Sequence, residues 1–314
     1  MASLLLSTRI VLHAPMLKLG RYLQAERYEF VTITPSSHAR VLERAVPACT
    51  ARDVLGWNRP FALNAIPPRL ADLMEAADLL KVEGGLHRSR VRFSTLDGLL
   101  FAHSAYPTHD GDAVFFGPDT YRFAALLRRV AGEASRVVDI GCGSGAGGLV
   151  LAGRGRSVVL GDINPQALAF ARLNAALANV DAEVVESDVL AGVRGDCDLV
   201  IANPPYLSDD AKRTYRDGQG AYGTALSVRI AREGIDRLRQ GARGGRLILY
   251  SGAAVVDGED QLLAGLRPLL TDPQIMRSQY EEIDPDVFGE ELDGSAYQGV
   301  ERIAAVSLVV DVSG

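Results

Sequence analysis

The most chemically specific stretch of this 314-residue chain is Asn203-Pro204-Pro205-Tyr206. A planar NH2 group, on a side-chain amide or a nucleobase, has a delocalised lone pair and is a poor nucleophile. An asparagine oxygen beside a fixed carbonyl can accept both of its hydrogens. That aligns the nitrogen and favours its pyramidal form as charge develops. Pro204 supplies the carbonyl, and two successive prolines fix the backbone before any substrate arrives. Tyr206 can stack on the planar group and hold it in line. On a surface loop the same residues would be an ordinary turn, so their placement decides.

A second motif lies upstream. VVDIGCGSGAGG (137–148) sets glycines at 141, 143, 145, 147 and 148 directly after an apolar strand. Glycine there permits positive φ and close backbone approach to a ligand, and the following helix N-terminus offers unpaired N–H groups. GCGSGA and GSGAGG both fit dinucleotide fingerprints, so the turn alone leaves the ligand open. Asp139, two residues before Gly141, favours S-adenosylmethionine: a dinucleotide fold carries an apolar residue there, whereas an acid meets the cationic amino group of a methionine moiety. Asp162, 21 residues after Gly141, can accept both ribose hydroxyls of either ligand. Asp188 can accept from an adenine amino group, or cap the next helix.

These residues need elements to hold them. From about 117, helices and apolar strands alternate, which predicts a parallel α/β sheet. Helices are expected at 118–131, 165–178, 225–240 and 259–270. Strands are expected at 136–141, 157–163, 182–188, 197–206 and 244–252, with a late antiparallel pair near 275–283 and 302–312 split by the acidic loop DPDVFGEELDG. The tetrapeptide then stands at the C-terminal end of the fourth strand. In a doubly wound sheet, ligands bind there, near the switch point.

Residues 1–112 read differently. A helix is expected at 68–82, followed by a hairpin over RSRVRFSTLDGLLFAHSAY with its turn at Asp97-Gly98. Helix then hairpin outlines a winged-helix-like unit, or a small packing domain. Residues 1–112 carry 13 basic against 11 acidic side chains and the remainder 20 against 28. Arg88, Arg90 and Arg92 alternate along the hairpin, where they could track phosphates or face solvent. The expected division is a smaller N-terminal α+β recognition domain, 1–112, and a Rossmann-like α/β domain, 113–314.

The net charge of −6 argues against a general polyanion binder. Three scattered cysteines suit a reducing cytoplasm and make neither a disulfide framework nor a zinc cluster. His13, His38, His87, His103 and His109 lack metal-ligand spacing. The start, MASLLLSTRIVLHAP, lacks a basic leader and is a poor signal peptide. No stretch approaches the ~18 apolar residues of a membrane span.

Asp139, the turn Gly141–Gly145, Asp162, Asp188 and Asn203-Pro204-Pro205-Tyr206 together resemble the class I S-adenosylmethionine-dependent methyltransferases. More narrowly, they are similar to the group that methylates exocyclic or amide nitrogens, and within it to the HemK-type glutamine methyltransferases acting on the GGQ loop of release factors. DNA adenine and ribosomal RNA guanine methyltransferases carry similar tetrapeptides. The resemblance covers about 115–252. It implies S-adenosyl-L-methionine as cofactor, held by the three acids with Gly141, Cys142, Gly143, Gly145, Ile163, Ser187, Val189 and Asn203. It implies transfer to a protein glutamine amide, with an adenine or guanine amino group as the alternative. The partner is then a translation factor, or structured RNA or DNA. It also implies that FFGPDTYRFAALL (115–127) closes over the site, with Phe116, Asp119 and Thr120 joining Tyr206 against the acceptor. A nicotinamide-dependent oxidoreductase or a non-catalytic binding module would leave the tetrapeptide without a role.

Overall fold

The computed structural model describes residues 2–44, 46–108, 110–153, 155–209 and 213–314. The N-terminal part contains helices α1 (Ala2–Ala25), α2 (Pro35–Leu42) and α3 (Pro68–Ala76). Two hairpins follow, β1 (Leu80–Glu83) with β2 (Leu86–Ser89), and β3 (Val91–Leu96) with β4 (Leu99–Ser104). Asp97 and Gly98 both take positive φ, as a two-residue turn between twisted strands requires. The helix expected to run to residue 82 stops at Ala76. Asp78 turns left-handed, and Leu80–Glu83 pair with Leu86–Ser89 instead of extending the helix.

Then come α4 (Pro118–Val130), β5 (Arg136–Ile140), α5 (Ala146–Val150), β6 (Ser157–Asp162), α6 (Pro165–Ala178), β7 (Ala182–Glu186) and β8 (Leu199–Ala202). The chain ends with α7 (Ala225–Gln240), β9 (Gly245–Val256), β10 (Glu259–Asp260), α8 (Gln261–Leu270), β11 (Ile275–Asp284) and β12 (Val300–Val312). The large sheet has the order β11-β12-β9-β8-β5-β6-β7, with β10 paired to β9. β9, β8, β5, β6 and β7 are parallel, while β12 runs antiparallel between β9 and β11. Strand order reverses between β5 and β8, so a crevice opens beyond their C-terminal ends. The expected Rossmann-like sheet is present, with the late antiparallel pair at its edge.

Side-chain alternation assigns the two faces. Val138, Val200, Leu247 and Leu249 pack towards α7 and α8. Val137, Leu199, Ile201, Ile248 and Tyr250 pack towards α4, against Phe123, Leu126 and Leu127. β8 is buried at all four positions, as expected of a central parallel strand covered on both sides.

The N-terminal part shares a core with α6. Ala167, Phe170, Leu173 and Leu177 pack with Leu19, Leu23, Leu70, Met74 and Phe93. Arg21 of α1 donates to the carbonyls of Leu177 and Ala176 at 2.9 and 2.7 Å, satisfying the last turn of α6. The buried Asn174 amide bonds Ala102 of β4 in both directions and also donates to the Ser144 carbonyl at 2.9 Å. One side chain thus joins hairpin, helix and glycine turn.

Candidate functional site

A cleft of about 770 Å³ lies over the C-terminal ends of β5, β6, β7 and β8. Its floor is the turn after β5. Gly141 and Gly143 take φ of +62° and +54°, and a Cβ at Gly141 would meet nothing within 4 Å. The backbone there is bare to the cleft. Gly147 is excluded from bearing a side chain for another reason: its Cβ would sit 2.9 Å from Asp139 Oδ2. Gly145 does not line the cleft. At φ +79° it turns inward, and a Cβ there would crowd Leu160 at 3.1 Å. Ser144 takes the adjacent place in the wall.

Asp139 is buried, and its Oδ2 accepts from the Gly148 N–H at 2.7 Å. Burial pushes its carboxyl up to about 7; the Gly148 bond opposes this and the nearby Asp162 adds to it. Asp162 accepts from Gly143 N at 2.9 Å and Asn164 N at 2.8 Å, one on each oxygen. Burial raises its pKa, partly offset by those donors. Each oxygen keeps a second lone pair for a hydroxyl. Ile163 beside it is 59% exposed within the cleft, an apolar platform without protein cover. A bare glycine cradle, two acids and an apolar platform on consecutive strands suit a cationic amino acid joined to a nucleoside.

Ser187, Asp188, Val189 and Cys142 also line the cleft. β7 ends at Glu186, so Asp188 stands two residues beyond the strand rather than at its end. Its carboxylate is engaged bidentately by Arg229 of α7 at 2.8 and 3.0 Å, a partner the sequence pattern does not reveal.

The opposite wall holds the tetrapeptide. β8 stops at Ala202, and Asn203 enters the cleft directly after it, with Pro204, Pro205 and Tyr206 beyond. The Tyr206 ring is buried rather than freely presented. Its hydroxyl donates to Asp119 Oδ2 at 2.6 Å, and Phe288 packs edge-on at 6.0 Å. Tyr250 donates to Asp119 Oδ1 at 2.7 Å, and Arg122 to the same oxygen at 3.0 Å. Burial, and then Asp119, keep the Tyr206 phenol well above its ordinary pKa, so it remains a donor. Thr120 accepts from Gly117 N at 3.2 Å and closes the start of α4.

Phe116 does not reach the cleft. It is 2% exposed, stacked on His103 with ring centroids 5.0 Å apart, and lies outside the cleft, where Phe115 stands instead. Arg88, Arg90 and Arg92 do not form one exposed stripe. Arg92 is buried with its Nε donating to Gly56 O at 2.8 Å, and Arg88 is half-buried near Glu83 and Tyr106. Arg90 alone of the three is exposed.

Several lining residues carry no sequence signal. Pro35, Ser36 and Ala39 of α2, with Tyr106, reach the cleft from the N-terminal part, and Phe288, Glu290 and Glu291 from the acidic loop. Tyr215 donates to Thr108 O at 2.8 Å, and Thr214 N to Gly111 O at 3.1 Å, zipping the loop after the tetrapeptide to the segment before α4. Among the described residues, no group of three or more His, Cys, Asp or Glu is arranged to hold a metal ion, and no helix is long and apolar enough to cross a membrane. His109 lies outside the described residues.

Residues 122–217 match the family model described as Methyltransferase small domain. The chain is 34% identical over 247 residues to the release factor glutamine methyltransferase of Deinococcus radiodurans, covering 76% of this chain and 85% of that protein. Over 79 residues it is 42% identical to a putative protein N5-glutamine methyltransferase of Methanocaldococcus jannaschii, covering 24% of this chain and 40% of that one. Over 118 residues it is 36% identical to the ribosomal RNA small subunit methyltransferase C of Chromohalobacter salexigens, covering 38% and 32%. Among solved structures, Trm5b from Pyrococcus abyssi is similar in fold, with a TM-score of 0.50 and 18% identity over 75% of this chain and 62% of that one.

Proposed function

The chain belongs to the family of the release factor glutamine methyltransferases, class I enzymes, and from that premise we propose that it methylates a glutamine side-chain amide of a translation release factor. Its cofactor is S-adenosyl-L-methionine, which supplies a methyl group on a sulfonium leaving group. The observation that carries the acceptor reading is Asn203, placed in one cleft with Gly141, Asp139 and Asp162.

In this reading Asp139 and the turn at 141–143 receive the amino-acid end of the cofactor, and Asp162 with Ile163 receives the nucleoside. Asp188, Ser187, Val189 and Cys142 complete that side. The Asn203 oxygen and the Pro204 carbonyl accept the two hydrogens of the acceptor amide, which orients the nitrogen lone pair at the methyl group. Pro205 keeps the strand end rigid, and Tyr206 supplies the adjacent aromatic surface. The methylated nitrogen sheds a proton readily, so no strong base is required.

We assign acceptor recognition to residues 1–112 and catalysis to 113–314, as a division of roles across one shared core. The contribution of Pro35, Ser36, Ala39 and Tyr106 to the cleft supports that assignment. A cytoplasmic location fits this substrate and the three free cysteines. The test is labelled-methyl transfer from S-adenosylmethionine to a purified, unmethylated release factor and, in parallel, to ribosomal RNA. Label in the release factor, lost when its GGQ glutamine is changed, is the expected result; label in RNA alone would overturn the acceptor assignment.

A further inference from the structure

We propose that Asp119 and Tyr250 are positioning residues for methyl transfer, which fix the ring of Tyr206 and, through Arg122, tie it to the loop at 284–294. The inference rests on reading Asn203-Pro204-Pro205-Tyr206 as the acceptor clamp.

Three elements converge on one carboxylate. Asp119 lies in the first turn of α4, Tyr250 is in β9, and Tyr206 follows β8. The Asp119 side chain is 6% exposed and receives Tyr206 at 2.6 Å, Tyr250 at 2.7 Å and Arg122 at 3.0 Å. Arg122 also donates to Asp284 at 2.7 Å, at the base of the loop that carries Phe288. Phe288 meets the Tyr206 ring at an interplanar angle of 67°. The ring also packs directly on the backbone of Gly252, where a Cβ would lie 2.2 Å from Tyr206 Cδ2.

Anchoring a loop does not need this arrangement. An apolar seat would hold the ring without the desolvation cost of a buried carboxylate. A carboxylate with three donors adds direction: it sets the rotation of the ring and the height of its hydroxyl. Burial holds both phenols above their ordinary pKa, so the chain of bonds is a fixed clamp and moves no proton.

The test uses the full chain, S-adenosylmethionine and an unmethylated release factor. Asp119→Asn is expected to lower kcat about a hundredfold, the scale of a 1 Å misplacement. Acceptor KM and S-adenosylhomocysteine affinity should stay within about threefold, because neither is bound more weakly. Tyr250→Phe leaves Tyr206 its own bond and should lower kcat about tenfold, the worth of one buried hydrogen bond. In the Tyr206→Phe background, adding either change should alter kcat by less than about twofold, since the residue it acts through has lost its hydroxyl. Losses that multiply in the double variants would make both residues merely structural and overturn the proposal. Ring-labelled tyrosine NMR reads the same point without an acceptor. The Tyr206 ring resonances should move in Tyr250→Phe, and unmoved resonances would overturn the proposal. A wild-type chain that labels no release factor would sink the functional reading instead.

Discussion

The cofactor wall of the cleft comes from one run of chain, residues 139–189, whereas the acceptor wall is gathered from segments around 35–39, 106, 115–123, 203–219 and 288–291. The first wall is mostly backbone. Its glycines and strand ends are fixed by parallel pairing of β5 with β6 and of β6 with β7. The second is mostly side chains held by cross-element bonds, such as Tyr215 to Thr108 and Tyr206 to Asp119. A ligand common to many enzymes can be met by local geometry. A particular acceptor needs a surface assembled by tertiary contacts, and its parts have no fixed spacing in sequence.

The largest expected effect comes from separating the walls. A chain beginning at Gly111 would bare Phe170, Leu173 and Leu177, which now pack with α1, α3 and β3. At roughly 1.5–3 kcal/mol for each large apolar side chain, that loss approaches the whole stability of a typical domain. The fragment should be insoluble or lack a cooperative melt, read by size exclusion and circular dichroism. A soluble fragment that melts cooperatively and binds S-adenosylhomocysteine would show that the walls do not share one core.

Asn203→Ala should break the acceptor wall alone. Methyl transfer is expected to fall by roughly two to three orders of magnitude, the loss typical of one transition-state acceptor. Calorimetry should find S-adenosylhomocysteine affinity nearly unchanged. Substantial residual transfer would move catalysis away from the tetrapeptide.

Asp162→Ala is the counterpart on the cofactor wall. It removes a charge-assisted acceptor for the ribose and frees the N–H groups of Gly143 and Asn164. Cofactor binding should weaken by about 2 kcal/mol or somewhat more. Near-wild-type affinity, with the fold intact by circular dichroism, would remove Asp162 from the site.

The same contrast explains what the sequence made legible. The Rossmann-like sheet and α7 over 225–240 follow from apolar periodicity, and α6 over 165–178 also from the proline at its start. Asn203 and the glycine turn follow from motif chemistry. A motif gives residue order and not facing: Gly145 of the turn faces inward, and of two adjacent phenylalanines Phe116 points into the core. Tyr250 was invisible because nothing local distinguishes it from its apolar neighbours in β9. Only strand alternation, which puts it on the α4 face beside Asp119, gives it a partner. The arginines of the second and third N-terminal strands show the reverse error. Alternation alone does not say whether a hairpin has a solvent face at all, and β3, which carries Arg92, is buried on both faces.

The smallest effect separates the walls by pH. Burial raises the Asp139 carboxyl to about 7, while burial holds the Tyr206 and Tyr250 phenols above their ordinary value, well outside this range. A folded-state pKa above the unfolded one means that the folded chain holds the extra proton. The stability Asp139 contributes is thus complete below the ordinary carboxylate range and is lost as pH rises through about 7. Relative to Asp139→Asn, the wild-type melting temperature without cofactor should fall between about pH 5 and 8. Binding has the opposite slope, because a cationic amino group needs the ionised carboxylate. Affinity for S-adenosylmethionine should rise by up to about tenfold per pH unit below 7 and level off above it. Asp162 is also raised by burial, so the dependence is best isolated as the difference between wild type and Asp139→Asn. With cofactor saturating, Asp139 is already held ionised by the bound amino group, so kcat should show no step near 7 from this carboxyl. A binding profile that is flat across this range would remove Asp139 from the cofactor's charged end. A step in kcat near pH 7 at saturating cofactor would mean that the two walls are coupled through a titrating group after all.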